Sequence, residues 1–234
     1  MDQLASIRGG SIREASIDDI EWVVSSGLTD YAMAVEVMQA RAAAIRAGSA
    51  GEQVWLVEHP PIYTGGTSAR ESDVLGNRSI PTLRTGRGGQ WTYHGPGQRI
   101  AYVMLDLTRA HGMVPARDVR GFVAALERWL ILTLAMFGIH GETRDGRVGI
   151  WVVDPMTQRE SKIAAIGVRV SRWVSFHGVA LNVAPDLDHY QGIIPCGIRQ
   201  HGVTSMAALG VQADMAQIDA ALRVQFGRVF GSDI

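Results

Sequence analysis

A chain of 234 residues, 47% apolar and 19% charged, is long enough to close a sizeable core as one large domain or two small ones. A net charge of −1 offers no basic excess to nucleic acid, and no acidic tail is visible. The longest apolar run, Trp129 to Ile139, falls far short of the roughly 20 residues of a membrane span, and the polar stretch Met1 to Asp19 does not read as a signal peptide. One cysteine excludes an internal disulfide and fits a reducing compartment, so a cytoplasmic location is the expectation.

The first 20 residues read as a loose arm, and 21–234 as a single domain. A helix is predicted from about Tyr31 to Ala47, because Val35, Met38, Ala42 and Ile45 step by three and four and Gly48 can stop it. Val54 to Glu58 is a short strand, ended by Pro60 and Pro61. Gly65 to Arg99, rich in Gly, Ser and Thr, reads as a loop region, and Ile100 to Asp106 as a buried strand. Asp118 to Phe137 is the clearest helix, with Phe122, Leu126, Trp129, Leu130 and Thr133 on one face. Strands follow at Val148–Val153, Lys162–Val170 and Val174–Val183, separated by turns and therefore antiparallel. A last helix spans Asp214 to Phe230. The fold class is α+β, with mixed or antiparallel sheet flanked by helices.

Three segments could carry chemistry. The 22 basic residues comprise 21 arginines and one lysine, Lys162. A compositional bias toward arginine accounts for that count. So does a task that arginine cannot perform, because a lysine amine can give up its proton and a guanidinium cannot. Cys196 sits between Pro195 and Gly197 in a turn with apolar flanks. It reads either as a small buried hydrophobe or as a presented nucleophile, which a neighbouring lysine would ionise. The stretch Arg87 to Gln98 is glycine-rich, so its backbone could approach a ligand closely or simply form a surface turn. It lacks the endings of a Walker loop and of a dinucleotide fingerprint. The seven histidines show no metal-ligand spacing, so no metal is expected, and His177 reads as a satisfied structural histidine. No Gly-x-Ser-x-Gly elbow is present.

Four ordered pieces resemble the lipoyl(octanoyl)transferase family: Arg87-Gly-Gly-Gln-Trp-Thr-Tyr-His-Gly-Pro-Gly-Gln98, Lys162-Ile-Ala-Ala-Ile-Gly-Val168, Ser175-Phe-His-Gly-Val-Ala-Leu-Asn182 and Pro195-Cys-Gly-Ile198, followed by Val203-Thr204-Ser205. The resemblance spans about residues 28 to 210 and implies a fold like the catalytic domains of biotin and lipoate ligases, with 21–234 as the catalytic domain. It implies octanoyl-acyl carrier protein as donor. It implies as acceptor a lysine of a lipoyl domain of 2-oxoacid dehydrogenases or of the glycine-cleavage H protein. It makes Cys196 the acyl-thioester residue and Lys162 the lysine that lowers its pKa. Arg87, Gly88, Gly89, Gln90, Trp91, Thr92, Tyr93 and His94 would line the acyl site, with Ala165, Ile166, Gly167, Gly178, Val179 and Ala180.

The expected reaction is a ping-pong octanoyl (or lipoyl) transfer in protein lipoylation, without ATP, metal or cofactor, and without nucleic acid or membrane partners. Backbone N–H groups near the cysteine turn or the glycine-rich loop would hold the oxyanion. The small residues Ala165, Gly167, Gly178 and Ala180 would leave room for a linear chain. Two alternatives remain. An ATP-dependent lipoate or biotin-type ligase of the same fold would need no thiol, and a non-catalytic acyl-binding protein would need neither Cys196 nor Lys162.

Overall fold

The computed structural model describes residues 20–76, 79–154, 158–194 and 202–231. The expected loose arm, 1–20, therefore lies outside the described residues except for Ile20, and so do Pro195, Cys196, Gly197 and Ile198. In chain order the elements are β1 (Glu21–Leu28), α1 (Tyr31–Arg46), β2 (Gln53–Glu58), β3 (Ile62–Gly65), β4 (Thr82–Arg84), β5 (Trp91–His94) and β6 (Gln98–Met104). They continue with α2 (Val119–Ala135), β7 (Ile150–Val153), β8 (Glu160–Ser171), β9 (Val174–Asn182), β10 (Gly202–Val203) and α3 (Met215–Phe230).

Each long helix starts where a short acid can satisfy the free N–H groups of the first turn. Asp30 accepts from Met33 N, Asp118 from Gly121 N and Asp214 from Gln217 N. Gly48, at φ +69°, follows the end of α1, where a left-handed residue costs least.

The larger sheet runs β1-β2-β6-β9-β8-β10, with β7 also paired to β8. β2, β6, β9, β8 and β7 pair antiparallel, whereas the edge strands β1 and β10 run parallel to their neighbours. The sheet is therefore mixed, as expected. Strand alternation sends successive side chains to opposite faces. Val54, Leu56, Ala101, Val103 and Leu105 face α2 and α3, while Trp55, Val57, Ile100, Tyr102 and Met104 face α1. On the first face Trp129 meets the ring of Phe226 at 5.1 Å and donates to Leu222 O at 2.8 Å. Fully burying a side chain of this class is worth about 1.5–3 kcal/mol, so packing on both faces holds the sheet between these two layers. Among the described residues no helix is long and apolar enough to cross a membrane.

The region Gly65 to Arg99, read from sequence as loop, instead contributes β4 and β5, which pair with β3 in a second sheet, β4-β3-β5. Its strands are only three or four residues long, too short to show a period-two pattern. Tyr63, Trp91, Tyr93, Ile80, Tyr190 and Ile193 pack as its own small core. This sheet stands beside β8 and closes one side of the site.

Candidate active site

A cavity of about 230 Å³ opens between the glycine-rich loop, β8, β9 and the start of α1. Arg87, Gly89, Gln90, Trp91, Thr92 and His94 line it from the loop and β5, and Lys162, Ala165, Ile166 and Gly167 from β8. Gly178, Val179 and Ala180 line it from β9. The three expected segments thus converge on one cavity. Two expected residues do not reach it. Tyr93, on alternate register in β5, packs against Tyr63 and Tyr190, and Gly88 turns its N–H to Val168 O at 3.0 Å.

Arg87 is buried and holds the loop together. Its guanidinium donates to the carbonyls of Thr64, Gly88 and Gln90 and to Thr64 Oγ1. Such bonds to a charged donor are among the stronger ones in proteins. Two of the small residues serve this packing, and their missing side chains face protein. A Cβ on Gly167 would stand 3.2 Å from Arg87 Cδ, and one on Gly178 would run into the carbonyl oxygen of Ala101 on β6.

Tyr31, Ile100, Tyr102, Gly146, Arg147, Val148 and His177 also line the cavity and were missed by the sequence reading. Tyr31 opens α1 and stacks on His94, ring centroids 5.6 Å apart. His59 Nδ1 donates to Thr29 O at 2.6 Å, so its Nε2 is the acceptor for the Tyr102 hydroxyl, also at 2.6 Å. His94 Nδ1 donates to Gln98 Oε1 at 2.7 Å, and Gln98 is fixed in turn by Asn182 Oδ1 at 2.8 Å. Burial depresses His59 and His177 to about 4 and His94 well below its ordinary range. It also raises the Tyr31 and Tyr102 hydroxyls. At neutral pH these five rings carry no charge, which suits an apolar ligand.

His177 departs from the satisfied role expected of it. Its Nδ1 is buried without a hydrogen-bond partner, and its backbone sits at φ +60°, unusual for a strand residue with a side chain. Backbone strain of this kind is concentrated at functional sites. It leaves no trace in the residue pattern.

Lys162 is 8% exposed at the cavity wall. Its Nζ donates to Val148 O at 2.8 Å. β10 pairs parallel with β8 at Gly202↔Ser161 and Val203↔Lys162, and Thr204 N donates to Lys162 O at 3.0 Å. On the other side of the undescribed segment, Ile194 N donates to Asp73 O at 2.7 Å. Among the described residues no group of His, Cys, Asp or Glu is assembled to hold a metal.

The family model of the lipoyl protein ligase A/B catalytic domain matches residues 30–227. An octanoyltransferase of Acidiphilium cryptum is 69% identical over 211 residues, covering 90% of this chain and 92% of the relative. The octanoyltransferase of Gluconacetobacter diazotrophicus is 59% identical over 213 residues, covering 91% and 92%. In fold, the chain is similar to a bi-partite lipoate protein ligase of Thermoplasma acidophilum, with TM-score 0.69 and 15% identity, covering 92% of this chain and 86% of that one. The match over nearly the whole folded region, with high identity to named relatives, agrees with the convergence of the three segments on one cavity: the chain belongs to the lipoyl protein ligase A/B catalytic domain family and, within it, to the octanoyltransferases.

Proposed function

We propose the route by which this octanoyltransferase serves protein lipoylation. The donor is octanoyl-acyl carrier protein, and the acceptor is a lysine of a lipoyl domain or of the glycine-cleavage H protein. The Cys196 thiolate attacks the donor thioester carbonyl, a C–S bond forms, and the carrier thiol leaves with the proton that Cys196 gave to Lys162. The acceptor amine then attacks the Cys196 thioester, its proton passes to Lys162 and on to the departing cysteine, and an amide remains. No ATP enters the cycle.

One observation carries this reading. Lys162, the chain's only lysine, stands on the wall of the cavity, and the chain returns from Cys196 to pair beside it at Val203. In sequence, Cys196 is six residues before Gly202, a separation of at most about 20 Å in fully extended chain. The octanoyl chain would lie between Tyr31, Ile100, Tyr102 and Val179, whose side chains carry no charge. Gly88 N–H is already engaged, so the oxyanion would be held by other amides of the loop or of the cysteine turn.

The test is incubation with octanoyl-acyl carrier protein in the absence of ATP, followed by intact mass. An octanoyl adduct on Cys196 that hydroxylamine removes, and that Cys196→Ser lacks, is the expected result. Labelling that requires ATP and free octanoate, and that survives Cys196→Ser, would replace this route with the ligase reaction.

A further inference from the structure

The grip on the lysine involves a residue that the reaction above does not use. Trp151 on β7 lies opposite Lys162 in the β7–β8 register and is 2% exposed. Lys162 Nζ stands 4.9 Å from the centroid of its indole, within the range of cation–π attraction. The indole Nε1 donates to Arg147 O at 3.0 Å, and the carbonyl of the next residue, Val148, accepts from Lys162. Arg147 folds back over the same indole, 4.5 Å from its centroid, with its guanidinium 2.5 Å from Glu160 Oε2. The chain then passes close to the lysine tip at Gly149, φ +116°, where a Cβ would lie 3.3 Å from both Cε and Nζ. Ring, carbonyl and glycine therefore surround the end of a side chain that has four rotatable carbons and would otherwise sample many rotamers.

We propose that Trp151 is a positioning residue for Lys162: its indole face and the Val148 carbonyl it anchors fix the ammonium at the cavity wall. A flexible lysine would spend most of its time out of reach of the reacting sulfur, and small misplacements of a catalytic group are costly. The proposal rests on Lys162 being the base of the transfer. It assigns to Trp151 no contact with substrate.

The chain's single lysine makes the contact directly observable. Full-length protein grown with 13C-lysine gives one set of lysine side-chain signals. In the wild type the Hε protons are expected well upfield of free lysine, shifted by the indole ring current. In Trp151→Leu that shift disappears, and octanoyl transfer falls roughly tenfold, mainly in kcat, as loss of a partly desolvated cation–π contact requires. Trp151→Phe, which keeps an aromatic face, restores part of the shift and most of the rate. A wild-type lysine signal at the free position, or a folded Trp151→Leu transferring at the wild-type rate, would overturn the proposal. If Trp151→Leu fails to fold, the wild-type signal and the Trp151→Phe pair decide it, and a normal lysine shift in folded Trp151→Phe with full activity counts against it. Transfer that survives Lys162→Arg would instead sink the base role, while the lysine signal of the wild type still reports the ring contact.

Discussion

At the residue scale the question is what a lysine does that an arginine cannot. Everywhere else in this chain a basic side chain is an arginine, yet at position 162 a compact amine sits on a cavity wall. Lys162→Arg keeps the positive charge and much of the length, but it removes a group able to exchange a proton. We expect octanoyl transfer to fall by at least about a hundredfold, the usual scale for loss of general acid–base catalysis, with the thermal midpoint of unfolding little changed. A variant that keeps most of the activity would mean that the charge alone suffices. Lys162 was legible in the sequence because its rarity could be counted. His177 was not, since its signature is a positive φ and an unpartnered Nδ1, which no residue pattern displays. Tyr31, Tyr102 and Arg147 were missed for a related reason. Their neighbours in the cavity are distant in sequence, and no spacing rule links them.

At the scale of elements, legibility followed the strength of the periodic signal. α1, α2 and α3 were predicted within a residue or two, because each combines an apolar face with an acidic cap. β1 was passed over: five of its eight residues are exposed, and it adds to the sheet as a parallel edge. The β4-β3-β5 sheet was read as loop because its strands are short. The small residues of β8 and β9 had been assigned to room for an acyl chain. For Gly178 the stronger demand is the approach of β6 to β9, since its missing Cβ points at the Ala101 carbonyl, a backbone atom that cannot swing aside. Gly178→Ala is therefore expected to destabilise the fold by about 1–3 kcal/mol, the usual cost of overpacking, in addition to any effect on transfer. Urea unfolding measures it. A midpoint equal to wild type, combined with lost activity, would return Gly178 to the role of lining the acyl site alone.

At the scale of the whole molecule, the uncharged histidines around the cavity have a consequence for stability. His59, His94 and His177 come from β2 or its end, β5 and β9, and meet around Tyr31 and Tyr102, so the two sheets and α1 close over imidazoles that must stay uncharged. In the unfolded chain each takes up a proton near 6.5, whereas in the fold His59 and His177 do so only near 4 and His94 well below 6.5. Between those limits the unfolded state binds more protons, so stability is full above about 6.5 and is lost as pH falls toward 4. Each histidine contributes at most ~1.4 kcal/mol per pH unit in that window. Asp219 opposes the trend. Burial raises its carboxyl from 3.8 despite the partner Arg99, 2.8 Å away, so its own contribution grows as pH falls toward that raised value. One carboxylate does not offset three imidazoles. Urea unfolding at pH 7.5 and pH 5.0 should show a loss of several kcal/mol at the lower pH, with the assigned 15N signals of His59, His94 and His177 in the folded protein remaining those of neutral rings. A flat stability between these pH values, or imidazolium signals from His59, His94 or His177 in the folded state at pH 5.0, would mean that the cavity holds charge at its centre. An apolar acyl chain would then have to displace it on entry.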